Sequence, residues 1–168
     1  MKFKLRYDNI LTIDPGDNTA WALWERDNIH PKVGLIELDK KENPVVEDQL
    51  TSMWFQFRSI IQQLKPNKVF MEGVEVYGGS LKSMVAVKKT KHQKIPSLFK
   101  LSFLIGGYCN ICYQHQIPFE IINFTEWGGQ LPPQAVRSQV HLIGEKRYTS
   151  QHIYDAVMFG YYVQGVVK

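Results

Sequence analysis

The sequence has little cysteine: two residues in 168, Cys109 and Cys112. They form a single C-x-x-C flanked by Tyr108, Ile111 and Tyr113, with no second pair, whereas a structural zinc site needs four ligands. They read as small apolar positions in a core or on a helix face. Long hydrophobic runs are lacking too, since no stretch approaches the roughly eighteen apolar residues of a membrane span. Met1 to Tyr7 alternates basic and apolar residues without the apolar core of a signal peptide. These absences point to a protein that stays in the compartment that makes it, a reducing cytoplasm. No repeat, low-complexity tract or interdomain linker interrupts the chain, so one domain is expected over residues 1–168. A chain of this length buries roughly 68 to 70% of the surface its unfolded form exposes, and needs neither a disulfide nor a structural metal to fold.

Negative charge is missing from one long segment. After Glu75 the next acid is Glu120, and between them lie Lys82, Lys88, Lys89, Lys91, Lys94 and Lys100, with His92 besides. That segment carries +6 in a chain of net charge +4, so the remainder sums to −2. Positive charge concentrated there, and in a smaller group at Arg137, Lys146 and Arg147, suits a polyanionic partner. A solvated lysine-rich loop is the alternative.

Periodicity supplies the architecture. Asn9 to Asp14 is a β-branched and apolar run that stops at Pro15-Gly16, and Thr19 to Trp24 resumes extended character beyond Asp17-Asn18. Val33 to Leu38 completes a three-strand meander. Leu50, Met53, Trp54, Phe57, Ile61 and Leu64 then recur at i, i+3, i+4, i+7, i+11 and i+14, an amphipathic helix closed by Pro66-Asn67. Lys68 to Tyr77 reads as a strand apolar on both faces, hence interior and covered by helices. Pro96 opens a helix through Cys112, whose Gly106-Gly107 pair requires a close neighbour, either the sheet or a second subunit. Pro118 to Phe124 reads as a fifth strand, Pro132 to Lys146 as a helix, and Ser150 to Val166 as a last helix with Ser150 as N-cap. The expectation is an α/β fold: a five-stranded mixed sheet, three meander strands plus two parallel ones, flanked by helices.

Three places put ligand-forming side chains where such a sheet would gather them. Asp14 ends the first strand before a tight turn, in I-D-P-G-D-N-T, which aims a carboxylate into the crevice at the sheet's end. Glu72 interrupts the apolar strand V-F-M-E-G-V, and a carboxylate there must reach water, a cation or a metal. Strand alternation turns Glu75 to the opposite face. His152 and Asp155, three apart in Q-H-I-Y-D-A, share a helix face, with Ala156 and Gly160 small enough to let that helix sit close to the sheet. Three carboxylates and an imidazole suit Mg²⁺ or Mn²⁺, and two such ions about 3.5 to 4 Å apart can share a central carboxylate, a geometry for phosphodiester hydrolysis.

These motifs resemble those of the RuvC-type Holliday junction resolvases, within the RNase H-like nuclease superfamily. I-D-P-G with the following strand to Leu23 resembles the family's first hairpin. V-F-M-E-G-V is similar to its apolar strand bearing I-E, S-L-F-K-L-S-F-L-I-G-G to its S-A-x-x-L-x-x-x-x-G helix, and Q-H-I-Y-D-A-V-M-F-G to its closing D/H-x-x-D-A segment. The resemblance implies an RNase H-like fold, with Asp14, Glu72, His152 and Asp155 as catalytic residues that ligate two Mg²⁺ or Mn²⁺ ions per subunit. It also implies a homodimer that makes paired nicks in a four-way DNA junction, leaving 5′-phosphate and 3′-hydroxyl ends, in a bacterial cell or a phage-infected host. Because His152 must be neutral to bind a metal, activity should fall below about pH 6.5.

The chain departs from the family in three ways. Glu75 stands where an aromatic residue often lies, and Tyr77 is the candidate substitute. The segment Gly78 to Ile95 is longer and more basic than usual, making Lys82, Lys88, Lys89, Lys91 and Lys94 candidates for DNA contact. Trp127 occupies the place of a lysine, leaving Arg137 and Lys146 as candidate phosphate contacts. A branched-DNA nuclease acting on flaps or forks is the competing enzyme reading. A catalytically inactive DNA-binding module is disfavoured by ligand-capable residues at all four matched positions. D-P-G-D-N-T also resembles the first phosphate loop of actin-like sugar and acetate kinases, but a second similar domain is not expected in 168 residues.

Overall fold

A computed structural model of the chain describes residues 5–26, 28–39, 41–73, 97–127, 131–144 and 146–167. Its strands are β1 (Ile10–Asp14), β2 (Asn18–Trp24), β3 (Lys32–Glu37), β4 (Lys68–Gly73) and β5 (Phe119–Asn123). The helices are α1 (Val46–Leu64), α2 (Ser97–Gln114), α3 (Phe124–Trp127), α4 (Pro133–Gly144) and α5 (Gln151–Val163). The strands form one sheet in the order β3-β2-β1-β4-β5. β1 pairs antiparallel with β2 and β2 with β3, while β1-β4 and β4-β5 are parallel. The expected meander and two parallel strands are therefore present, with β1 at the centre.

Alternation along β1 separates two cores. Ile10 packs with α4 and α5, and Leu11 and Ile13 pack with α1 and α2. The stripe of α1 buries Leu50, Met53, Phe57 and Ile61, as its spacing predicts. The helix stops where Lys65 turns left-handed, its N–H returning to the Ile61 carbonyl, with Pro66 next in the chain. On β4, Val69, Phe70 and Met71 are all buried, as befits a strand covered on both faces.

Two local readings need correction, and a third holds in position only. The neighbour demanded by Gly107 is neither the sheet nor a second subunit but α1, since a Cβ there would collide with the Trp54 indole, whereas Gly106 has nothing within 4 Å. Phe124 does not extend the fifth strand. It begins α3, because the Asn123 N–H donates to Glu126 Oε1 at 3.1 Å, one half of a capping box that N-F-T-E encodes. Ser150 occupies the N-cap position of α5 with extended backbone, yet its side chain makes no capping hydrogen bond.

Candidate metal centre

The carboxyl ends of β1 and β4 lie side by side, the place where parallel sheets hold ligands. Asp14 is the last residue of β1, and Glu72 is the penultimate residue of β4. Met71 packs on the α1-α2 side, so alternation turns Glu72 toward α5, the same side as Asp14. The N-terminal part of α5 contributes His152 from its first turn and Asp155 from its second.

A buried hydrogen-bonded link sets the distance between β1 and α5. Thr12 Oγ1 donates to the Ala156 carbonyl at 2.9 Å and accepts from Trp24 Nε1 at 3.0 Å. The helix approaches this closely because Ala156 is fully buried and Gly160 lies against the Trp24 ring, with no room between them for a Cβ. On the other side of Asp14, the turn through Gly16 is held by Thr19. Thr19 Oγ1 donates to the Gly16 carbonyl at 2.8 Å and accepts from Tyr108 at 3.1 Å.

Asp14, His152 and Asp155 each offer a ligand atom, and these atoms lie within 4.8 Å of one another. Asp14 Oδ2 is 3.0 Å from His152 Nδ1. Glu72 is outside this group of three but on the same side of the sheet, and the charges of Asp14 and Asp155 reach its carboxyl. Burial first, then those two charges, pushes the Glu72 pKa up to about 8. Burial also raises Asp14 and Asp155, outweighing the hydrogen bonds from His152 and Gln151 respectively. The hydrogen bond to Asp14 raises His152. Three carboxyl groups thus share a site in which each resists ionisation. That donor set, oxygen-rich with one imidazole, fits a divalent cation, whose charge would reverse those shifts. His152 is accordingly freed to act as a ligand only above the 6.5 of an unperturbed histidine, because Asp14 stabilises the imidazolium.

Two residues that sequence reasoning passed over belong to the surroundings. Gln151 Nε2 donates to Asp155 Oδ1 at 2.8 Å, while its Oε1 accepts from Arg137 Nε at 2.6 Å. Asp17, in the turn after Asp14, pairs with Lys100 Nζ at 2.5 Å, and the same nitrogen donates to Gln49 Oε1 at 2.6 Å. One of the six lysines in the basic segment is therefore neutralised within the fold. Only the D-P-G-D-N-T acid pattern hinted at Asp17; Gln151 had no signal beyond lying next to His152.

The candidate DNA contacts separate by place. Arg137 on α4 is exposed, and its guanidinium carbon lies 5.6 Å from the Tyr154 ring centroid. Lys146 is exposed after α4. Trp127, in the place of a lysine, is buried against Phe159, the ring centroids 5.2 Å apart. Glu75, Tyr77, Lys82, Lys88, Lys89, Lys91 and Lys94 lie outside the described residues. Cys109 and Cys112 are free thiols, and burial raises the pKa of each, that of Cys112 to about 12, which leaves them inert packing groups.

No family model matches the sequence, and no curated protein does either. Solved structures do. The chain is similar to RuvC of Thermus thermophilus, with a TM-score of 0.61 and 13% identity over 93% of this chain and 96% of that one. The similarity extends to T. thermophilus RuvC in complex with a Holliday junction substrate, with a TM-score of 0.63, 13% identity and the same coverage. The yeast mitochondrial Holliday junction resolvase Ydc2 matches with a TM-score of 0.54 and 13% identity, over 98% of this chain and 81% of that one. The fold is RNase H-like, as in RuvC: sheet order 3-2-1-4-5, with strands 1, 4 and 5 parallel and helices on both faces. Among the described residues no helix is long and apolar enough to cross a membrane.

Proposed function

We propose that this protein is a structure-selective DNA endonuclease that resolves four-way junctions by paired, metal-dependent hydrolysis, leaving 5′-phosphate and 3′-hydroxyl ends. The observation that carries this reading is the convergence of Asp14, His152 and Asp155 within 4.8 Å, with Glu72 beside them, on an RNase H-like sheet. Asp14, Glu72, His152 and Asp155 would hold two Mg²⁺ or Mn²⁺ ions, whose chemistry there would be to activate a water and to offset charge on the departing 3′ oxygen. The protein's own part is to fix the ligands. Thr12 and Trp24 hold α5 to β1, so that groups 138 residues apart in sequence, Asp14 and His152, face each other. His152 gives up its proton to act as a ligand. Arg137 and Lys146 bind backbone phosphates, joined by Lys82, Lys88, Lys89, Lys91 and Lys94, and Tyr77 contacts the DNA in place of the aromatic residue that Glu75 replaces.

The four-way junction as substrate is supported by the overall likeness to RuvC, one of whose structures holds a Holliday junction. A homodimer would supply the paired nicks. An exposed apolar face on α1 and α2 supports it: Phe55 and Phe103, 62% and 57% exposed, flank a groove of about 470 Å³ that Gly106 leaves open. The unit of function is one nuclease domain over residues 1–168, working in the cytoplasm of a bacterial cell or a phage-infected host. Glu75, standing in the place of an aromatic residue, favours a second reading, a branched-DNA nuclease acting on flaps or forks.

The test is cleavage of a mobile four-way junction beside flap, fork, single-stranded and duplex DNA, in Mg²⁺ and Mn²⁺, by the wild type and Asp14→Asn. Symmetric paired nicks confined to the junction are expected. Cleavage of flaps and forks with equal rate would favour the second reading, and undiminished cleavage by Asp14→Asn would overturn the metal site.

A further inference from the structure

Asp155 is tied to an exposed arginine through one side chain. Gln151 stands at the first position of α5, one residue before His152 and four before Asp155, so the helix brings its amide over the Asp155 carboxylate. Its Nε2 donates to Asp155 Oδ1 at 2.8 Å, and its Oε1 accepts from Arg137 Nε at 2.6 Å. The chemistry permits only this orientation of the amide: a carboxylate accepts and Arg Nε donates, so nitrogen must face Asp155 and oxygen must face Arg137. Arg137 is further held by the Tyr154 ring. Gln151 uses only its Nε, and among the described residues no hydrogen bond engages the two terminal nitrogens, whose four N–H donors form the planar fork that suits a phosphate.

We propose that Gln151 is a positioning residue: it orients the Asp155 carboxylate for metal and holds Arg137 in register with it, so that a DNA phosphate captured by Arg137 is set relative to the metal centre. The inference rests on the nuclease reading above and adds to it a residue outside the ligand set. Gln151 occupies Oδ1 of Asp155 and leaves Oδ2 to the cation. The Arg137 guanidinium, drawn toward the site by the same amide, also opposes the negative charge on Asp155. DNA binding and metal binding are then linked through one amide, and the linkage must be reciprocal: metal tightens DNA, and DNA tightens metal.

The experiment measures Mn²⁺ affinity of the DNA-free protein by calorimetry, junction affinity with Mn²⁺ and with EDTA, and single-turnover cleavage, for the wild type, Gln151→Leu, Gln151→Glu, Arg137→Met and the Gln151→Leu/Arg137→Met double variant. Circular dichroism and thermal melting verify that each is folded. Gln151→Leu is expected to weaken Mn²⁺ binding by about 10-fold, the usual effect of losing a partner of a metal ligand. Gln151→Glu keeps an acceptor for Arg137 but places an acceptor against Asp155, and should lose metal affinity at least as strongly while junction binding in EDTA stays within about 2-fold of wild type. In the Gln151→Leu background, removing Arg137 should slow cleavage by less than about 2-fold beyond Gln151→Leu alone, because residues acting through one another are not additive. Unchanged Mn²⁺ affinity in Gln151→Leu, or additive losses in the double variant, would overturn the inference while wild-type metal binding and cleavage leave the nuclease reading in place. A wild type that binds no Mn²⁺ overturns both.

Discussion

His152 Nδ1 lies 3.0 Å from Asp14 Oδ2, joining the first turn of the last helix to the end of the first strand across 138 residues of chain. Asp14 and His152 are both shifted toward holding protons, which a cation bound there would have to displace. Burial keeps Asp14 reluctant to ionise, and the hydrogen bond to Asp14 makes His152 reluctant to lose its proton. Glu72, with a pKa of about 8, holds another.

Metal binding should therefore release protons. As pH rises toward 8, fewer protons remain to be displaced, so Mn²⁺ affinity increases between about pH 6 and 8 and levels off above it. Calorimetry in buffers of differing ionisation enthalpy checks this. An affinity independent of both pH and buffer would contradict the assignment of these groups as ligands.

The raised Glu72 pKa also has a sign for stability. Its folded-state value of about 8 exceeds the unfolded value of 4.5, so its contribution is fully present below 4.5 and is lost as pH rises through 8. In EDTA, Glu72→Gln should melt close to wild type at pH 5 but higher at pH 8, by about 2–4 °C for each kcal/mol of relieved charge burial. The same variant should lose cleavage. Equal melting temperatures at pH 8 would show that burial and the charges of Asp14 and Asp155 do not hold the Glu72 carboxyl above its ordinary range.

Thr12 tests the link between strand and helix. Thr12→Val keeps the shape but leaves both Trp24 Nε1 and the Ala156 carbonyl without their hydroxyl partner. Each buried polar group so orphaned costs about 1–3 kcal/mol, so a loss of roughly 2–6 kcal/mol is expected by urea unfolding. Thr12→Ser retains the hydroxyl and should lose no more than about 1.5 kcal/mol, near the cost of one buried methyl group. Matching losses in the two variants would mean that the hydroxyl does not hold α5.

Lysines of the basic segment should differ in what they do. Lys100 is engaged by Asp17 and Gln49, so Lys100→Gln should leave the salt dependence of DNA binding unchanged and lower the melting temperature. Replacing Lys88, Lys89 and Lys91 with alanine should flatten that dependence, the slope falling by about 0.9 for each phosphate the protein no longer neutralises. Titration from about 50 to 300 mM salt separates the two outcomes, and an unchanged slope in the triple variant would return that segment to solvated surface.

The elements and the four ligand-capable residues were legible because their signals are local. A period of two or of 3.6, a proline after a strand, or a carboxylate inside an apolar run is set by a few neighbouring residues, and Asp14, Glu72, His152 and Asp155 each stood out in that way. N-F-T-E was equally local, and its capping box marks α3, although the apolar run before it reads as continuing strand. What only the tertiary structure decided are the meetings of distant groups: Trp54 over Gly107, Trp24 over Gly160, Asp17 with Lys100, and Arg137 with Asp155 through Gln151. Glutamine, tryptophan and lysine occur on any polar or half-buried surface, and nothing in their own neighbourhoods names the partner that packing of helix on sheet brings against them. The same packing turned four separately ordinary residues into a site, because proximity and burial, which no single segment contains, are what raise the pKa of Glu72 and oppose three carboxyl groups to one another.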